Sequence, residues 1–261
     1  MKAPSVFISH GAPLAVITED DYAKALRGFG RRTGRPTGIV VVSAHGLSPD
    51  GCVRVTAGER PPLVYDFAGF PSQLYEYRYP CPGSPALARE IGERLSPLGL
   101  KVSLSQEAGI DHGVWVPLAR LFPKADVPVV QVSMPFPSTP QRVFALGEAL
   151  RPMREAGVML IGSGGAVHNL RELDWHGGRE GATGWARAFN DWLKAAIAAK
   201  RFDDILAFKI KAPEPQKAHP TTEHLFPTFF TIGAASASDR ASVIADEFQY
   251  GTLSMFSYAF D

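Results

Sequence analysis

Gly38-Ile39-Val40-Val41-Val42-Ser43 reads as a strand buried on both faces, and the Ala44-His45 that follows delivers an imidazole just past its carboxyl end. An unbroken apolar, β-branched run is what a central strand of a parallel or mixed sheet shows, because helices cover both of its faces. Working outward, residues 5–8, 127–132 and 158–162 repeat that pattern, and 101–104 reads as a further strand. Residues 85–95, 112–122 and 139–151 have helical length and spacing. The clearest stripe lies in residues 185–200, where Trp185, Phe189, Trp192, Leu193 and Ile197 share one face. This alternation predicts an α/β layered fold with a central parallel or mixed sheet flanked by helices. The tail, 241–248 and 252–260, predicts closing antiparallel strands. Two stretches read as loops: 211–220, with its prolines, and the glycine-rich 177–184. Neither divides halves of different composition, so residues 1–261 are expected to form one domain.

Bulk composition narrows the function classes. The chain has 261 residues, 27 Lys+Arg against 26 Asp+Glu, 45% hydrophobic and 20% charged residues. That excludes a disordered or collagen-like protein. A formal net charge of +1 gives no broad electrostatic reason to bind nucleic acid or an anionic membrane. Cys52 and Cys81 form no C-x-x-C pair or zinc-ribbon spacing and are expected as reduced thiols. The apolar stretch before Ser9 is too short for a signal peptide, and no run approaches the ~18 residues that span a bilayer. The cytoplasm is the expected location.

The histidines carry the functional signal. His10 follows Val6-Phe7-Ile8-Ser9, His45 ends the run quoted above, and His168 follows Val158-Met159-Leu160-Ile161 after an expected turn, Gly162-Ser163-Gly164-Gly165. Ligands of open α/β sheets sit beyond the carboxyl ends of the strands. Three strands are thus expected to bring an imidazole each to one edge. A hydrogen-bonded core histidine explains any one of them, but that explanation has to be invoked three times. His112 stands where a helix begins, and His224 follows the proline-rich stretch at the start of another. His176 and His219 have only loop contexts and read as structural. Converging neutral imidazoles suit a divalent transition metal.

At this point the motifs become recognisable. Phe7-Ile8-Ser9-His10-Gly11-Ala12-Pro13, Val41-Val42-Ser43-Ala44-His45, Asp66-Phe67-Ala68-Gly69-Phe70-Pro71, Tyr79-Pro80-Cys81-Pro82-Gly83-Ser84-Pro85, Asp111-His112-Gly113, Val167-His168-Asn169-Leu170, Thr222-Glu223-His224-Leu225-Phe226-Pro227 and Gly251-Thr252-Leu253-Ser254-Met255 occur in order. Together they resemble the class III extradiol ring-cleavage dioxygenases, in the branch typified by DOPA 4,5-dioxygenases. The resemblance implies a mononuclear non-haem Fe(II) site with His10, His45 and His224 as ligands. It also implies His168 as active-site base and candidate fourth ligand, and His112 as a catalytic histidine that binds substrate or passes protons. The implied partners are a catechol and O2, and the implied product is a muconic semialdehyde. Zn(II) would compete for such ligands in purified protein. Where the family commonly has Trp after its Ser-Ala-His motif, Gly46 stands here and is expected to reshape the pocket beside His45.

Other readings stay open on the residues alone. A zinc hydrolase would use the same three histidines and an open coordination position. A partner-binding scaffold retaining the fold is a third reading. Nucleotide binding finds no support, since both G-x-G-x-x-G and the P-loop pattern are absent after residues 158–161. Tyr75, Tyr77 and Tyr79 either line a pocket for a flat ring or pack their segment against the domain. Asp66 reads as an exposed turn carboxylate, with contact to a substrate ammonium as the other reading.

Overall fold

Alternate residues of the central strands feed two separate cores. Phe7, Val40, Val42, Val130, Val132 and Leu160 pack on one face of the sheet. Val6, Ile8, Ile39, Val41, Val129, Met159 and Ile161 pack on the other. Burial on both faces is why these runs read as continuous rather than alternating. The computed structural model describes residues 2–174 and 182–261. Its strands are β1 (Ser5–Ser9), β2 (Gly38–Ser48), β3 (Val53–Thr56), β4 (Val102–Ser105), β5 (Val129–Pro135), β6 (Val158–Gly164), β7 (Ala241–Ala245), β8 (Phe248–Gln249), β9 (Leu253–Ser254) and β10 (Ser257–Phe260).

Eight of them form one mixed sheet in the order β4-β3-β5-β2-β6-β1-β10-β7, and β8 pairs with β9. β5, β2, β6 and β1 run parallel, so their carboxyl ends share one edge. β10 and β7 are antiparallel additions, as the tail predicts. Helices Pro85–Leu95, Pro140–Leu150, Gly184–Ala198 and Phe226–Gly233 cover the first face. Helices Asp21–Thr33 and His112–Leu121 cover the second. The first of these two, like β3, goes beyond the sequence expectation; Asp20 starts it by accepting the Ala23 amide at 2.7 Å.

Three local expectations need correction. The expected turn at Gly162-Ser163-Gly164 is the end of β6. A Cβ would lie 2.1 Å from the Pro227 carbonyl oxygen at Gly162, and 2.1 Å from that of His224 at Gly164. These glycines are there for close approach of the segment carrying His224, not for turning. Residues 211–220 are not wholly loop, since Pro215–Ala218 is helical. β2 does not stop at Ser43; it parts from β6 there and its register with β5 shifts between Val42 and Leu47. Such an irregularity re-aims side chains, and His45 lies within it. Cys52 and Cys81 are buried and free, as thiols. No helix among the described residues is long and apolar enough to cross a membrane. Of the glycine-rich stretch, Gly177–Gly181 lie outside the described residues, as does His176.

Candidate metal centre and active site

His10, His45 and His224 come from the end of β1, the irregular end of β2 and the residue two before the helix Phe226–Gly233. Each offers a ring nitrogen, and these nitrogens all lie within 4.8 Å of one another. His10 Nε2 and His45 Nε2 face each other at 3.1 Å. The other ring nitrogen of each histidine is engaged. His10 Nδ1 lies 3.0 Å from Ser163 Oγ, whose own hydroxyl donates to the Gly113 carbonyl. The serine oxygen therefore accepts, and the His10 proton sits on Nδ1. His45 Nδ1 lies 3.3 Å from Asp66 Oδ2, and His224 Nδ1 lies 3.1 Å from Glu223 Oε1. Carboxylates only accept, so these protons also sit on Nδ1.

The tautomers leave three Nε2 lone pairs turned toward a common point. Burial and the neighbouring imidazoles push His10 well below its ordinary value and bring His45 down to about 3. His10 and His45 are therefore neutral at physiological pH. Lone pairs held together without protons fit a cation, and imidazoles anchored by carboxylate or hydroxyl acceptors are the usual setting of a metal-binding histidine. The donor set fits a divalent transition metal.

Asp66 carries more than its reading as an exposed turn residue. Its side chain is 24% exposed, yet both oxygens are committed. Oδ1 accepts from His112 Nδ1 at 2.9 Å and from the His112 backbone amide at 3.0 Å, while Oδ2 faces His45. Burial opposes its ionisation, but the bonds from His112 hold the carboxyl down at about 2. One carboxylate thus orients two imidazoles, whose ring centroids are 4.1 Å apart. Glu223 does similar work for His224: hydrogen bonds from His224 and Thr221 outweigh burial and bring it to about 2. Sequence reasoning missed Ser163 and Glu223 as orienting groups. Glu223 lies inside the His224 motif and Ser163 in the glycine-rich segment before His168, which was the available signal.

His168 stacks on His224 with ring centroids 3.5 Å apart and planes within 5°, at the cavity wall rather than among the three facing nitrogens. Burial, with His224 and His219 nearby, lowers it to about 2. His219 is buried and does not line that cavity; its Nε2 donates to the Ala166 carbonyl at 3.0 Å. The structural reading of that residue stands.

A cavity of about 290 Å³ opens beside the imidazoles, and His10, His45, His112, His168 and His224 all line it. Phe67 and Phe70 give it flat walls; the Phe67 ring meets His112 edge-on at 5.6 Å and Phe70 at 5.5 Å. The tyrosines suggested as a ring pocket instead pack their segment. Tyr77 stacks on Trp115 and the Tyr79 hydroxyl donates to the Phe122 carbonyl at 3.0 Å. Gly46 does create space, but in a neighbouring cavity. Its absent Cβ would lie 2.6 Å from Gln131 Nε2, and the roughly 280 Å³ there is bounded by Arg54, Asp111, Gln131 and Ser133, meeting the first cavity only at His45.

Comparison with known proteins agrees with this arrangement. The family described as the catalytic LigB subunit of aromatic ring-opening dioxygenase matches residues 5–261. A protein of Escherichia coli (strain K12) named 4,5-DOPA dioxygenase extradiol is 37% identical over 259 residues, 98% of this chain and 94% of its own. Proteins of the same name from Beta vulgaris and Portulaca grandiflora are 36% and 38% identical, over 97% and 98% of this chain and 95% of each of theirs. The crystal structure of an uncharacterized protein of Escherichia coli K12, JW3007, superposes with a TM-score of 0.84 at 33% identity and covers 100% of both chains.

Proposed function

The chain belongs to the aromatic ring-opening dioxygenase family, in its extradiol ring-cleavage class, and from that premise we propose that it uses non-haem Fe(II) to open a catechol with O2, giving a muconic semialdehyde. The observation that carries this reading is the convergence of three deprotonated ring nitrogens beside a cavity with aromatic walls. His10, His45 and His224 would hold the iron, which when bound supplies chelation of the diol and activation of dioxygen.

The chain's own residues do the rest. Phe67 and Phe70 hold the ring flat and exclude water around it. His168 is unprotonated at neutral pH because it is buried, so its lone pair is available to take the proton that a diol hydroxyl gives up on binding. His112 has its Nδ1 proton fixed on Asp66, which leaves Nε2 to accept a hydrogen bond from the substrate and to relay a proton as the ring opens.

The test is anaerobic loading with Fe(II), then aeration with substituted catechols while oxygen uptake and a yellow product are followed. His168→Ala should keep the metal and lose turnover by about 10²–10⁴-fold, as removal of a general base does. No oxygen uptake with any catechol, together with ester or amide hydrolysis by the Zn(II)-loaded chain, would replace this reading with the zinc hydrolase.

A further inference from the structure

We infer that Asp111, which does not line the cavity beside the imidazoles, is a positioning residue: it ties the backbone at His45 to the start of the helix that carries His112, and so fixes the spacing of the two histidines. Its effect on turnover rests on the ring-cleavage reading; its effect on metal binding does not.

The bonds run in a line across three elements. The His45 amide donates to Ser43 Oγ at 3.2 Å, and that hydroxyl donates to Asp111 Oδ1 at 2.7 Å. Gln131, in β5, grips Asp111 twice: its Nε2 donates to Asp111 Oδ2, and its Oε1 accepts from the Asp111 amide at 3.0 Å. β2 needs such a link here. Its pairing with β6 ends at Ser43 and its register with β5 shifts between Val42 and Leu47, so side chains replace the ladder around His45. Asp66 joins the same two imidazoles at their Nδ1 atoms, and Asp111 joins the backbones behind them.

This placement does not serve the helix that Asp111 starts. An aspartate at that cap position ordinarily accepts an amide of the first turn, but the Asp111 side chain makes no such bond. It is also 6% exposed, and burial pushes its carboxyl up to about 6 against the hydrogen bonds from Ser43 and Gln131. An acid whose value is raised on folding lowers stability once ionised, so the fold forgoes stability on both counts. Two glycines clear the space for the line. A Cβ at Gly113 would lie 2.5 Å from Ser43 Oγ, and one at Gly46 would lie 2.6 Å from Gln131 Nε2.

An exchange of two isosteric side chains tests the inference. In Asp111→Asn the amide oxygen can serve Ser43 or Gln131 Nε2, and its NH2 then meets the donor left over. Adding Gln131→Glu restores every bond, since the new carboxylate accepts from both the side-chain NH2 and the backbone N–H at position 111. Zn(II) affinity is read by competition with a chromophoric chelator, and kcat and KM by oxygen uptake on the Fe(II)-saturated chain. We expect Asp111→Asn to lower affinity by about tenfold and kcat by about 10–100-fold. KM should stay within about threefold, because Phe67 and Phe70 are untouched. The double variant should return to within about threefold of the unaltered chain. A melting temperature that falls while affinity and kcat hold would overturn the inference, since Asp111 would then serve the fold alone. Losses that Gln131→Glu fails to reverse would overturn it too. If Asp111→Asn does not fold, Ser43→Ala decides, because it removes the link between Asp111 and the His45 amide: it should lower affinity and kcat, and unchanged values would sink the idea. If even the unaltered chain consumes no oxygen with any catechol, the ring-cleavage reading falls, and the affinity measurements alone judge Asp111.

Discussion

Two buried polar clusters sit at opposite ends of the central sheet, and they solve opposite problems. At the amino end of β1 and β6, Arg154 is fully buried and its guanidinium makes four hydrogen bonds. Its guanidinium gives to the Ala3, Ala234 and Phe260 carbonyls at 2.8, 2.7 and 2.8 Å, and to Asp239 at 2.6 Å. Asp239 is shared with Lys2 and the Ser236 amide, and Lys2 also lies 3.9 Å from Glu155, so both ends of the chain are tied together. At the carboxyl end, His10, His45 and His224 are just as firmly held from behind, but their inward faces are three acceptors with no donor among them. One cluster is closed, and the other presents a donor set that fits a cation. Size does not make this distinction: the groove of about 710 Å³ near Lys2, Arg32 and Glu155 is larger than the cavity beside the imidazoles. A candidate site is better recognised by unmet coordination than by volume.

The sharpest way to break this contrast is to remove an acceptor. His10→Ala, His45→Ala or His224→Ala should abolish stoichiometric metal, read by elemental analysis, and drop ring cleavage to background. The chelator-induced fall in melting temperature expected for the unaltered chain should vanish with it, because a ligand bound only by the native state stabilises that state. Full metal content in any of the three would remove that residue from the site.

The closed cluster should show the reverse phenotype. Arg154→Met leaves three carbonyls without their donor and Asp239 with only Lys2 and the Ser236 amide, and breaking a buried pair costs about 3–5 kcal/mol. At ~2–4 °C per kcal/mol for a chain near this size, thermal unfolding should shift down by roughly 6–20 °C, with activity per folded molecule unchanged. The pH dependence has a definite sign. Burial opposes ionisation of Asp239, but hydrogen bonds from Arg154 and Lys2 prevail and bring it from 3.8 to about 2. Its stabilisation is therefore complete above about pH 4 and is lost as the pH falls toward 2. Arg154→Met should flatten that acid limb, and an unaltered limb would show that other groups govern it.

The two clusters were unequally legible in the sequence. The sheet and its main helices could be read because central strands in this class are continuously apolar, and the histidines stood out because they end such strands. Arg154 gave no signal, since one arginine in a polar connection looks like any other until the termini fold back onto it. Gly162 and Gly164 were visible but misread: glycine looks the same whether it turns the chain or makes room for a neighbouring backbone, and only the position of Pro227 and His224 decides. Asp66 was seen as exposed, which its side chain partly is. Its importance lies in which two imidazoles share it, and that depends on residues 45, 66 and 112 meeting in space.

Asp66 also gives the finest test of the contrast, because it asks whether the acceptors must be aimed as well as present. Asp66→Asn keeps the shape and one accepting oxygen. That oxygen should stay with His112, which offers two donors, its Nδ1–H and its backbone N–H, whereas His45 offers one. The new amide N–H then faces the His45 Nδ1 proton, donor against donor, so His45 must rotate or move its proton to Nε2, the nitrogen that faces His10. Either response spoils one of the three converging lone pairs without deleting a ligand. Metal affinity, measured by competition with a chromophoric chelator, should fall by about 10–100-fold, as it does when the groups orienting a metal-binding histidine are removed. kcat at saturating metal should fall less, because His112 keeps its anchor. If affinity holds and kcat alone collapses, Asp66 serves His112 and not His45, and the inward aim of His45 must come from the backbone of β2 instead.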